Sequence, residues 1–201
     1  MKLLRIKYLI ENKILNNNKR LIYIIFLIFL GIFYRLIPHI PNFSPLYSIS
    51  VFSSILPIEI NNKFNKLVKY ISFLIPIIIL FVTDLILGFY KGMIFNYIAF
   101  LSYSVFSYFI FNKYSKLSKT ILGLVLSLGA SVYFFIISNF GVWLLTDMYS
   151  KDLGGFILCY INALPFLKNS TISSIIFSIL IFYTYELLFL KGKDIKDVEL
   201  N

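Results

Sequence analysis

Six apolar runs, separated by short polar or charged stretches, divide the chain at about 18–37, 45–60, 70–89, 93–111, 121–145 and 171–190. A bilayer core about 30 Å thick takes roughly 20 helical residues at about 1.5 Å each. All but the second run come close to that length. The second is short and rich in serine, with Ser44 suited to an N-cap, Pro45 to a first helical turn and Pro57 to a kink or stop. Pro76 predicts a bend near the start of the third run. Gly123, Ser127 and Ser131 recur every fourth residue in the fifth, which predicts a close helix contact within the molecule. A further apolar stretch, 153–167, carries Gly154, Gly155 and Pro165 and is too short to cross, so it reads as re-entrant or interfacial. The expected fold is therefore all-α: a polytopic membrane bundle of about six transmembrane helices plus a short re-entrant or interfacial segment. It divides into a basic N-terminal tail (1–17), a transmembrane domain (18–190) and a C-terminal tail (191–201).

Composition agrees, with 59% hydrophobic residues and a mean hydropathy of +0.85, against about 45–50% apolar residues in soluble domains. The net charge of +10 would suggest nucleic acid in a soluble protein. Here the basic residues lie between apolar runs, where they act as topology signals, so nucleic acid is not expected as a partner and a lipid bilayer is. Fifteen of the nineteen lysines and arginines fall in 2–20, in 61–69, in 112–119 and in the C-terminal tail. The other four, Arg35, Lys91, Lys151 and Lys168, belong to the alternate connections. This alternation predicts six crossings of a bacterial inner (plasma) membrane with both termini cytoplasmic. The first run ends Gly-Ile-Phe-Tyr-Arg without a small-residue cleavage pattern and reads as a retained helix.

Candidate chemistry is confined to the non-cytoplasmic half. Arg35 and Asp84 each lie about 14 residues, or roughly 21 Å, past the inner end of their helix, and a charge at such depth needs a partner. Opposite in sign and equal in depth, they are expected to face one another, either as an ion pair orienting two helices or as part of a ligand pocket. Asn139 and Trp143, spaced i, i+4, share a helix face; Trp143 also suits the aromatic belt at a membrane boundary. Asn42 and Asn169 are candidate pocket donors or loop caps. His39, between Pro38 and Pro41, is a candidate ligand contact or a local hydrogen-bonding residue. Tyr160 is a candidate pocket wall. Glu186, near the inner face, is expected to meet a lysine or cytoplasmic water. One cysteine, Cys159, and one histidine leave no basis for a disulfide or a zinc centre, and no cofactor is expected. There is no nucleophile elbow, no His-Glu-x-x-His and no phosphate-cradling glycine loop, so no catalytic role is expected.

These motifs carry a resemblance. Arg35 with Pro-His-x-Pro-Asn-Phe-Ser-Pro (38–45), Asp84 with Gly88 and Phe89, Ser-Asn-Phe-Gly-Val-Trp (138–143), and Cys-Tyr-x-x-Ala-x-Pro-Phe (159–166) with Asn169 resemble an uncharacterised family of small bacterial membrane proteins, a domain of unknown function. The match spans about 30–190. In size and layout that family is similar to the substrate-binding S components of energy-coupling-factor transporters. This second resemblance implies capture of a small molecule from outside and docking on transporter partner subunits that supply energy. The alanine-x-x-x-alanine docking pattern often seen in helix one of S components has no counterpart in 21–34, which contains no alanine. The expected function is a substrate-binding membrane subunit of a small-molecule uptake transporter, with Arg35, His39, Asn42, Asp84, Asn139, Trp143, Tyr160 and Asn169 as the ligand-binding candidates. Two alternatives stand beside it: a structural or assembly protein whose polar cluster only locks helices, and a membrane enzyme using Asp84 or His39 as acid or base.

Overall fold

A computed structural model describes residues 2–56 and 70–189, with side chains at 19–56 and 70–189. Among the described residues seven α-helices follow one another: α1 (Lys2–Leu36), α2 (Leu46–Ser53), α3 (Ile75–Leu87), α4 (Met93–Lys113), α5 (Lys119–Leu145), α6 (Leu153–Ser178) and α7 (Thr184–Phe189). A π-helical turn, Ile179–Tyr183, joins α6 to α7 without a break. No strand occurs among the described residues, and the chain is an all-α bundle of membrane type. Three helices are long and apolar enough to cross a membrane: Met93–Lys113, Lys119–Leu145 and the continuous rod Leu153–Phe189. Large apolar side chains cover the outside, with Phe29, Phe33, Ile121 and Leu153 all more than half exposed. Such a surface is stable against lipid rather than water.

The inside is more polar than the outside because α2 lies at the centre. All eight of its residues are buried, and its serines allow neighbouring backbones to approach. Each hydroxyl finds a partner: Ser48 donates to the Ser174 carbonyl (3.3 Å), Ser50 to that of Phe100 (3.1 Å), and Ser53 to that of Ser50 (2.6 Å). Ser104 of α4 meets the Ser50 hydroxyl at 2.9 Å. Aromatic rings fill the remaining space, with Phe52 packed against Tyr23, Phe182 and Tyr185.

One expectation changes. The stretch 153–167 is not a separate segment; it is the first part of α6, continuous with the helix expected at 171–190. Gly154 and Gly155 lie in its first turn, where the Asp152 side chain accepts from the Gly155 amide at 2.7 Å. Pro165 is absorbed within a long helix, where one missing amide donor is tolerated when neighbours pack around it. Pro76 occupies the first turn of α3, where the missing amide costs nothing, directly after a turn at 73–74 interrupts the helical run that begins at residue 70, so the expected bend falls there. The helical backbone of α1 runs through residues 2–17, the stretch read from sequence as a basic tail. The end of the second run, Pro57 and the lysines of 61–69 lie outside the described residues, as does the C-terminal tail.

The small residues of α5 serve packing within the bundle. A side-chain carbon added at Gly123 would stand 2.5 Å from the Phe182 ring. Gly123→Leu is expected to overpack this contact and cost about 1–3 kcal/mol, seen as a lowered unfolding midpoint in detergent. An unchanged midpoint would contradict the close α5–π-turn contact.

Candidate functional site

The deepest charge in the bundle sets the site. Asp84, in the last turn of α3, is fully buried. A carboxylate near a helix C-terminus faces the negative end of the dipole, so it depends on outside donors. Arg35, in the last turn of α1, supplies one: its Nη2 forms an ion pair with Asp84 Oδ1. There the cation also meets the favourable end of its own helix. Tyr97 of α4 donates its hydroxyl to Asp84 Oδ2 at 2.8 Å. Three helices are thus tied through one carboxylate, and both its oxygens are occupied. The Arg35 side chain is 17% exposed, and its buried Nε has no partner among the described residues.

Beside this cluster lies a cavity of about 280 Å³. Arg35, His39, Asn42, Ser44, Tyr90 and Asn96 give it a polar lining, and Leu80, Phe100 and Phe134 an apolar wall. Asn96 donates to the Tyr90 hydroxyl at 2.5 Å. The turn after α1 covers it: His39 Nδ1 bonds to the Ile37 carbonyl at 2.8 Å, and Asn42 adopts a left-handed φ of 60°, a conformation asparagine tolerates better than most residues. Asn169 of α6 holds this turn, donating to the Pro41 carbonyl at 3.0 Å. A larger hollow of about 550 Å³ opens between α4 and α5. Its lining, chiefly Tyr103, Phe106, Val132, Tyr133 and Ile136, carries no charged group, so it offers little to orient a polar ligand.

The eight residues expected to converge divide into two groups. Arg35, His39 and Asn42 line the cavity, Asp84 stands behind Arg35, and Asn169 braces the covering turn from outside the lining. Asn139, Trp143 and Tyr160 do not reach it; Asn139 bonds within α5, Trp143 ties α5 to the loop before α6, and Tyr160 ties α6 to α5. Asn139 Nδ2 donates to the Phe135 carbonyl (2.7 Å), Tyr160 to that of Ile136 (2.7 Å) and Trp143 Nε1 to that of Ser150 (3.0 Å). Their faces lie along the α5–α6 contact, where Phe135 meets Tyr160 and Trp143 meets Phe156. Tyr90, Asn96 and Tyr97 were not singled out from sequence. Their one signal is the grouping of three polar side chains around the start of α4.

Two further clusters close the ends of α5. Glu186 of α7 accepts from the Lys119 amide (2.5 Å) and from the hydroxyls of Ser118 (3.0 Å) and Thr120 (2.7 Å). It therefore caps the helix N-terminus instead of pairing with a lysine ammonium, as the dipole favours. At the other end Lys151 donates to the Trp143 and Thr146 carbonyls, and its neighbour Asp152 caps α6. Hydrogen bonds from the Gly155 amide and the Ser150 hydroxyl hold the Asp152 carboxyl below its ordinary value.

No metal-binding group of histidine, cysteine, aspartate or glutamate occurs among the described residues. With the geometry in place, the sequence comparison gives a family.

The chain belongs to DUF6580, a family of unknown function, whose pattern matches residues 15–196. That match takes in every residue of the cavity and of the Asp84 cluster. No curated protein and no solved structure matches the chain.

Two outcomes test this geometry. Arg35→Ala leaves Asp84 buried without its cation and should cost about 3–5 kcal/mol, whereas Arg35→Ala with Asp84→Ala should recover much of that loss. Equal unfolding midpoints for the single and double variants would contradict the pair. For Asp152, the folded carboxyl titrates below the unfolded one. Its contribution is therefore complete above the ordinary value of 3.8 and is lost as pH falls through the lower folded value. The fluorescence of Trp143, the chain's one tryptophan, should hold steady down to about pH 4 and change only below it, and Asp152→Asn should abolish that step.

Proposed function

We propose that the chain is a substrate-binding membrane subunit of a small-molecule uptake system. The observation that carries this reading is the cavity of about 280 Å³ beside a charged, hydrogen-bonded cluster. Its volume is near the lower end of ligand pockets, and its lining combines an apolar wall with a few convergent polar groups. A charged residue held inside an apolar bundle is costly and commonly marks a ligand or ion site.

The lysine and arginine distribution orients the molecule. With six crossings and both termini cytoplasmic, the cavity opens on the non-cytoplasmic side of a bacterial plasma membrane. The chain performs no chemistry; it presents a captured solute to transporter partner subunits that provide the energy, as the layout shared with S components suggests. The rival reading is a structural protein whose cluster only ties α1, α3 and α4 together. It draws support from Asp84, whose two oxygens are both occupied without any ligand.

A thermal-shift screen of the detergent-purified full chain separates the two. The uptake reading expects at least one small polar solute from a vitamin, nucleoside and metal panel to raise the unfolding midpoint. Asn96→Ala or Tyr90→Phe should reduce that shift by tenfold or more in apparent affinity while leaving the ligand-free midpoint within about 1 kcal/mol of wild type. A panel without any stabilising solute favours the structural reading.

A further inference from the structure

The charge balance of the cavity narrows what it can hold. Resting on the binding-site reading above, we infer that the ligand is an uncharged planar heterocycle that presents a carbonyl or ring acceptor to Arg35. Arg35 is the one charged residue in the lining, and its charge is balanced by Asp84 immediately behind it. An anionic ligand would compete with Asp84 for the guanidinium and leave a fully buried carboxylate short of its partner, an expensive outcome in a low-dielectric interior. A cationic ligand fares no better. Both Asp84 oxygens are already taken, by Arg35 and Tyr97, and the group facing the cavity is itself a cation.

What remains open is hydrogen-bond capacity. The guanidinium carries five N–H donors and touches Asp84 through Nη2 alone. A neutral acceptor oxygen or ring nitrogen can use the remaining donors without disturbing the ion pair. The aromatic part of the lining favours a flat body. Tyr47, Phe100 and Phe134 form an aromatic group with centroids 4.9–5.7 Å apart, and all three line the same cavity. Rings of this kind stack on planar π systems by offset or edge contacts. About 280 Å³ limits the ligand to one or two fused rings with short substituents.

Matched probes that differ in charge alone test this class. Nicotinamide, nicotinate and 1-methylnicotinamide supply a neutral, an anionic and a cationic member on one ring. Quinoline-3-carboxamide, quinoline-3-carboxylate and the N-methyl quinolinium carboxamide do the same on two rings. For the full chain in detergent, the neutral member of at least one set should raise the unfolding midpoint at a concentration tenfold or more below either charged analogue. Asp84→Asn removes the balancing charge and should turn the preference toward the carboxylate; Tyr97→Phe keeps both charges and should leave the preference as it is. The wild-type comparison is decisive even where Asp84→Asn does not fold. Equal or tighter binding of a charged analogue overturns the ligand class and leaves the binding site standing. Silence from both carboxamides, with a charged hit from the wider panel, also overturns the class. Silence from every compound in both collections overturns the class and the binding-site reading together.

Discussion

A polar group carried into an apolar environment must be satisfied by the protein itself, because no water is there to do it. The organisation of this bundle follows from that requirement. Asp84 is the severest case, a full charge with no exposure, and it recruits one donor from α1 and another from α4. The serines of α2 are the mild case, each returning its hydroxyl to a nearby carbonyl. Between them stand the helix ends, closed by groups of matching sign: Glu186 on the amides of α5, Lys151 on its last carbonyls and Asp152 on the first turn of α6.

The same requirement explains which parts of the structure could be read in advance. A charge inside an apolar run stands out because it is expensive, and helix rise converts its position into depth. Arg35 and Asp84 could therefore be matched without coordinates. Tyr97 could not, since one hydroxyl among fifteen tyrosines carries no comparable cost. Asn139, Trp143 and Tyr160 face the α5–α6 contact and not the cavity. Spacing of i, i+4 says which residues share a face, not which neighbour that face will meet. The apolar runs located the helices well, and their misreading at 153–167 came from treating glycine and proline as interruptions. Gly154 and Gly155 lie where a capped first turn accepts them, and Pro165 is carried within a long continuous helix.

Membership of a family of unknown function names neither a site nor a ligand, so the chemistry of the cavity lining has to carry the functional argument. That lining is uneven. One part offers donors and another aromatic carbon, and the single charge is already neutralised from behind. The Asp84 cluster thus has two effects that are hard to separate by deletion alone: it fastens α1, α3 and α4, and it fixes the electrostatic character of the hollow beside them. Variants that keep the fastening while altering the lining, at Asn96 or Tyr90, distinguish these effects where removal of Arg35 does not.

The continuous rod of α6, the π turn and α7 has a mechanical consequence. Asn169 grips the turn over the cavity, and Glu186 grips the start of α5, some 17 residues or about 25 Å further along the same axis. No proline separates these two anchor points. The π turn between them is the one stretch whose backbone already departs from α geometry, and Tyr23 holds it by donating to the Ile181 carbonyl. Lifting the covering turn while Asn169 stays attached therefore pulls on a lever whose softest joint lies beside Tyr23, and α1 becomes the fulcrum.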